Sequence, residues 1–140
     1  MGTGTGVLSL AALLLGARSA VALDIDADAV RTCKRNAFLN GLSRQLKIYQ
    51  GTLAALNPSV RYDLVLANIH GDVVLEEACR LSEHTREGGH LILSGLDYSD
   101  NRAVKLAMGE RGMEEVSVLF LEEFVTQVWH RLPGQGRKGP

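Results

Sequence analysis

Four short, almost wholly apolar runs alternate with stretches of helical spacing, and this alternation limits the fold more than any other feature. The runs are Ser19 to Leu23 (SAVAL), Leu46 to Tyr49, Tyr62 to Ile69 (YDLVLANI) and His90 to Leu96 (HLILSGL). A strand apolar throughout is one covered on both faces, as in a parallel sheet flanked by helices. The intervening segments carry helix punctuation. Asp26 or Asp28 caps a helix that runs to about Asn40 and stops at Gly41. Asp72 opens a second, with apolar residues at 73, 74, 78 and 81, which runs to about Arg86 and is ended by Gly88-Gly89. A third spans Asp100 to Arg111 and stops at Gly112. The closing runs, Val116 to Phe120 and Phe124 to Leu132, are separated only by Leu121, Glu122 and Glu123, which leaves no room for a crossover. They must pair as an antiparallel hairpin. The pattern predicts an α/β fold: a doubly wound, mostly parallel open sheet with a C-terminal antiparallel hairpin.

Upstream of the first run, Gly2-Thr3-Gly4-Thr5-Gly6 leads straight into an apolar helix beginning at Val7. Glycines permit positive φ and close approach of a ligand to the backbone, and a helix N-terminus offers free N–H groups. A tight turn without a ligand is the other use of such a cluster. The spacing G-x-G-x-G departs from the G-x-G-x-x-G of nicotinamide dehydrogenases. Asp24 ends the next strand, where the crevice of a doubly wound sheet lies and an acid can accept both hydroxyls of a ribose. Asp26 and Asp28 supply helix caps, which leaves Asp24 spare for a ligand. No strand precedes the glycine turn.

Composition narrows the classes further. The chain has 140 residues, 46% apolar and 22% charged, with net charge −1. That is one ordinary globular domain, expected over residues 1–132, without the basic field that nucleic-acid or anionic-membrane binding uses. Pro133 to Pro140 (PGQGRKGP) reads as a disordered tail. Cys33 and Cys79 are too few for a disulfide framework, so the expected compartment is the reducing cytosol; both read as small buried hydrophobes in helices. The apolar run Val7 to Ala17 lacks the cationic flank of a secretory signal and is too short to span a bilayer. The four histidines show no metal-ligand spacing, and no metal site is expected.

The segments GTGTGVLSLAALLLGA, VALDIDADAV, NAFLNG, DLVLANI, EGGHLILSGL and EEFVTQVWHRL, taken in order, resemble the successive motifs of class I S-adenosylmethionine-dependent methyltransferases. The best match is the PrmA type, which methylates a large-subunit ribosomal protein. The resemblance covers residues 2 to about 132 and implies a Rossmann-like fold, S-adenosyl-L-methionine as cofactor and a protein amino group as acceptor. By resemblance, Gly2, Thr3, Gly4 and Gly6 form the loop under the methionine part of the cofactor. Asp24 then binds the ribose, Ile25 packs on the adenine, and Asn68 orients the target amine as the catalytic residue. Methyl transfer to an amine asks mainly for alignment, because the sulfonium is already activated.

The resemblance also marks departures. The family's first strand, with its acid two places before the first glycine, is absent, which implies a chain N-terminally truncated relative to the family. Gly51-Thr52 stands where many class I enzymes place an acid toward the adenine. His70 stands where an aliphatic residue is expected; it reads as a polar residue at a helix start, with proton acceptance from a substrate ammonium as the alternative. Another protein lysine, a small-molecule acceptor or a non-catalytic remnant are the other readings. No direct nucleic-acid or membrane binding is expected.

Overall fold

The structure, a computed structural model, describes residues 1–134; from residue 135 on, the tail expected at Pro133 to Pro140 lies outside the described residues. The chain divides into two compact units, one spanning Met1–Leu56 and the other beginning at Asn57.

In the first unit, α1 (Val7–Leu14) is followed by β1 (Ala20–Asp24), α2 (Ala27–Leu39), β2 (Leu46–Gln50) and a single 3-10 turn at Leu53–Ala55. β1 and β2 pair in parallel from Ala20 opposite Leu46 to Asp24 opposite Gln50. Leu10 and Leu13 of α1, Ala22 of β1, Cys33 and Ala37 of α2 and Leu46 of β2 form the core. The helix ends follow from local chemistry. Asp26 caps α2, its side chain accepting from the Asp28 amide at 2.8 Å. At the other end Gly41 takes φ +70°, and Gly41 N donates to Phe38 O while Leu42 N donates to Ala37 O. That pair of bonds is the Schellman closure a left-handed residue makes possible. α1, expected as a buried helix, buries only Leu10 and Leu13, and Val7, Leu14 and Leu15 are exposed.

The second unit holds β3 (Tyr62–Asn68), α3 (Gly71–His84), β4 (Thr85–Asp97), α4 (Asn101–Gly109), β5 (Met113–Leu121) and β6 (Phe124–Arg131). Its sheet runs β3-β4-β6-β5. β3 and β4 are parallel, and β6 lies antiparallel to both β4 and β5, so the closing hairpin forms as expected. Its turn is tighter than the sequence suggested. Leu121 is already paired with Phe124, and Glu122 takes φ +52°, a left-handed conformation usually left to glycine or asparagine.

One boundary is corrected. The Gly88-Gly89 pair does not end α3; the helix stops at His84 and β4 starts at Thr85, five residues before His90. Arg131 at the end of β6 donates to the carbonyls of Ser82, Glu83 and Thr85, the last two at 3.1 and 2.6 Å. A guanidinium thereby satisfies carbonyls that a helix end leaves open. The glycines instead sit in an irregular stretch of β4, between the pairs Tyr62–Thr85 and Leu64–His90.

Alternation along these strands sorts the two faces of the sheet. Val65, Ala67, Leu91, Leu93, Val125, Gln127 and Trp129 are buried on the side where α3 and α4 pack. On the opposite side Asn68, Ser94, Thr126 and Leu119 form a row across the sheet. Asn68 is in register with Ser94, the Ser94 and Thr126 hydroxyls meet at 2.8 Å, and Thr126 pairs with Leu119. Among the described residues of this unit, no helix covers that row.

Candidate functional site

The glycine loop and Asp24 come together in the first unit. Gly2, Gly4 and Gly6 all have positive φ, at +67°, +51° and +87°. The loop closes on itself through Gly6 N to Thr3 O at 2.8 Å and on β1 through Thr3 N to Leu23 O at 3.0 Å. Asp24 clasps it from the strand end, one carboxylate oxygen accepting from Gly4 N at 2.8 Å and the other from Asp26 N at 3.0 Å. The expectation that Asp24 is free of backbone duties is therefore corrected. Each of its oxygens nonetheless keeps a second acceptor direction, because a carboxylate offers about four lone-pair sites and two are used.

The loop's glycines differ in what they require. A side chain at Gly4 would meet nothing within 4 Å, so its outer surface is open to a ligand. A Cβ at Gly6 would stand 2.6 Å from Cys33 Sγ, so that glycine is fixed from below by α2. Thr3 is turned toward the same helix, its hydroxyl 3.9 Å from Cys33 Sγ. Ile25 projects from the loop after β1 and is 71% exposed.

Two residues that sequence reasoning did not single out brace this loop region. Asn36 of α2 donates to Thr5 O at 2.8 Å, and Gln50 at the end of β2 donates to Ile25 O at 3.1 Å. Asn36 lies inside the NAFLNG segment, which was the available signal; nothing local marked Gln50. Thr52 caps the following 3-10 turn through Ala54 N, at 3.3 Å.

In the second unit, Asn68 ends β3 with its side chain exposed. Ile69 N donates to Ser94 O at 3.2 Å and holds the turn that follows. Gly95, at φ +78°, makes room for Asn68: a Cβ there would lie 2.6 Å from Asn68 Oδ1. Gly71 likewise yields space to the Asp100 carboxylate, which a side chain at 71 would overlap. His70 is the exposed N-cap residue of α3, and its side chain makes no capping bond.

The two cysteines part company. Cys33 is fully buried, and burial pushes its thiol above the usual range. Cys79, expected to be buried, is exposed on α3 with its Sγ 3.6 Å from Glu83 Oε1. A native-state titration with a thiol reagent at neutral pH should therefore modify Cys79 quickly, with Cys33 reacting only on unfolding. Two fast thiols would contradict the burial of Cys33. No helix among the described residues is long and apolar enough to cross a membrane.

Comparison with known proteins identifies the family. The pattern of the family described as Ribosomal protein L11 methyltransferase (PrmA) matches residues 1–131. A protein named ribosomal protein L11 methyltransferase from Marinobacter nauticus is 38% identical over 139 residues, covering 99% of this chain and 44% of the relative. The like-named protein of Geobacter sulfurreducens is 41% identical over 118 residues, covering 84% and 38%. In Bacillus pumilus the figures are 36% over 126 residues, with 90% and 40% covered. The chain thus spans about two-fifths of the length of these relatives. The crystal structure of a ribosomal protein L11 methylase from Lactobacillus delbrueckii subsp. bulgaricus superimposes with a TM-score of 0.87 at 30% identity, covering 94% of this chain and 67% of that one. An RNA methyltransferase from Salinibacter ruber, solved with S-adenosyl-L-homocysteine, shares the fold with a TM-score of 0.73 at 22% identity, covering 98% and 81%.

Proposed function

The chain belongs to the ribosomal protein L11 methyltransferase family, and from that premise we propose that it is the part of such an enzyme that binds S-adenosylmethionine and aligns an amino group of a large-subunit ribosomal protein for methylation. The observation that carries the reading is the clasp of Asp24 on the glycine loop, through Gly4 N and Asp26 N. It fixes the carboxylate where its two remaining acceptor directions can take a pair of vicinal hydroxyls. The open surface over Gly4 lets a ligand rest against the backbone. These features suit the ribose and the methionine part of the cofactor, and exposed Ile25 offers an apolar surface to its adenine.

When bound, S-adenosylmethionine supplies a methyl group already activated on a sulfonium. The chain therefore has to bind, orient and exclude water, with little acid-base chemistry of its own. Asn68, fixed against Gly95, accepts a hydrogen bond from the neutral acceptor amine through its side-chain oxygen and so orients the nitrogen lone pair. The proton displaced from nitrogen passes to solvent.

Calorimetry with S-adenosylhomocysteine tests the reading. Saturable one-to-one binding is expected. Asp24→Ala should weaken it about a hundredfold, the loss of two hydrogen bonds to a charged acceptor, while circular dichroism stays unchanged. Asn68→Ala should leave affinity within about threefold, since it acts on the acceptor. Unchanged affinity in Asp24→Ala would remove that residue from the site, and absence of binding by the folded wild-type chain would overturn the reading.

A further inference from the structure

We propose that Asn36 is a positioning residue for the amino-acid end of the cofactor. By holding Thr5 O against α2, it keeps α1 from winding back into the glycine loop and fixes the surface on which that end rests. The proposal rests on the methyltransferase reading above and divides its site into two halves, each set by different residues.

The start of α1 is a choice between two closures. A peptide is planar and trans, so the carbonyl of one residue and the amide of the next point in opposite directions. Both ends of the Thr5–Gly6 peptide are held. Gly6 N donates to Thr3 O at 2.8 Å, and Thr5 O accepts from Asn36 Nδ2, also at 2.8 Å. Gly6, at φ +87°, is where the chain leaves the helical path, and the first bond of α1 runs from Leu10 N to Gly6 O. Ser9 N is the next donor toward the N-terminus, and in a longer helix it would take Thr5 O. Glycine reaches the helical backbone as readily as the left-handed one, so Gly6 itself does not decide between the two. Among the described residues, Asn36 is the one donor to Thr5 O, and its bond keeps that carbonyl out of the helix.

α2 is built to supply this donor. Cys33 and Asn36 lie one turn apart, so the face that packs beneath Gly6 also reaches Thr5 O. The Asn36 carbonyl accepts from both Asn40 N, at 3.1 Å, and Asn40 Nδ2, at 2.8 Å, which keeps the last turn of α2 wound.

The consequence falls on one half of the site. α1 is anchored in the core by Leu10 and Leu13, and Thr3 N is held by Leu23 O. Between two fixed ends, the longer helix turns the Thr5–Gly6 peptide over and gives up the bond from Gly6 N to Thr3 O. The open surface over Gly4, proposed for the methionine part, is then rebuilt. The other half keeps its own supports. Asp24 still accepts from Asp26 N at 3.0 Å, and its carbonyl from Gly51 N at 2.8 Å, while Gln50 holds Ile25 O.

The test compares S-adenosylhomocysteine with 5′-methylthioadenosine, which has the same adenosine and thioether but lacks the amino-acid end. Affinities of the whole chain, of Asn36→Asp and of Asn36→Leu are read by calorimetry and amide NMR titration. Both replacements are close to asparagine in size, and neither side chain donates a hydrogen bond at neutral pH. Each should weaken S-adenosylhomocysteine at least tenfold and leave 5′-methylthioadenosine within about twofold. In the ligand-free chain, hydrogen exchange at the Gly6 amide should quicken at least tenfold, and exchange at the Ser9 amide should slow. Equal weakening of both ligands, S-adenosylhomocysteine affinity unchanged in both variants, unchanged Gly6 exchange, or loss of folding by both variants would overturn the proposal and leave the cofactor reading standing. A folded wild-type chain that binds neither ligand would sink the methyltransferase reading, and this proposal with it.

Discussion

Gly6→Ala should cost about 3 kcal/mol of stability and abolish S-adenosylhomocysteine binding. Two separable penalties add at this position. A non-glycine residue at φ +87° pays about 1–2 kcal/mol for the left-handed backbone. The new methyl would also stand 2.6 Å from the Sγ of fully buried Cys33, which has nowhere to move in a packed core. The steric share can be isolated. In a Cys33→Ala background the nearest remaining atoms, Cys33 Cβ and Cα, lie at 3.4 and 3.5 Å, ordinary packing distances. Urea denaturation of the four proteins in the cycle should show Gly6→Ala costing at least 1 kcal/mol less when Cys33 is alanine. Equal costs in both backgrounds would mean that backbone conformation alone demands the glycine.

The second large effect is expected at Gln127, a polar side chain buried as completely as any leucine in the core. Its amide nitrogen donates to Asn101 Oδ1 at 2.7 Å and to Asn101 O at 3.2 Å, while its oxygen accepts from the Trp129 indole at 3.1 Å. The network ties the start of α4 to the middle of β6. Gln127→Leu keeps much of the volume and strands both the indole N–H and the Asn101 acceptors. At about 1–3 kcal/mol for each buried orphan, the expected loss is about 3 kcal/mol. Trp129 is the chain's only tryptophan, so its emission reports both the unfolding midpoint and the change in its own surroundings. A loss below about 1 kcal/mol with unchanged emission would show that water replaces the amide.

How much of this was readable beforehand depended on how far apart in sequence the partners lie. β1 and β3 were visible as apolar runs, but the burial on both faces expected of them does not hold for β3, which buries only Val65 and Ala67 and leaves Leu64 exposed. The hairpin was forced by a gap too short for any other connection. Helix starts and stops such as Asp26 and Gly41 were readable because the capping groups are local. The end of α3 was not. Gly88-Gly89 looked like its stop, but the helix ends at His84, where Thr85 pairs with Tyr62 and Arg131 reaches Thr85 O from 46 residues away. Asp24 was found as a ligand candidate, but its backbone bond to Gly4 was not foreseen, because that partner lies twenty residues earlier. Gln50, which holds the Ile25 carbonyl, carried no signal, since an amide at a strand end is ordinary in sequence and acquires its role only when β1 and β2 pair.

The Arg131 clamp has a consequence for how the chain is made. A ribosome adds about 5–20 residues per second, so the 46 residues from Thr85 to Arg131 take roughly 2–9 s. Helices relax in well under a microsecond and hairpins in microseconds. For that whole interval the end of α3 is held only by Thr85, whose hydroxyl donates to Leu81 O, and by the pairing of Thr85 with Tyr62, while the carbonyls of Ser82, Glu83 and Thr85 lack the guanidinium. The boundary between helix and strand therefore gains its last three hydrogen bonds only when the final strand arrives. Pulse-labelling of amides at 83–87 on arrested nascent chains should show protection rising once residue 131 has emerged.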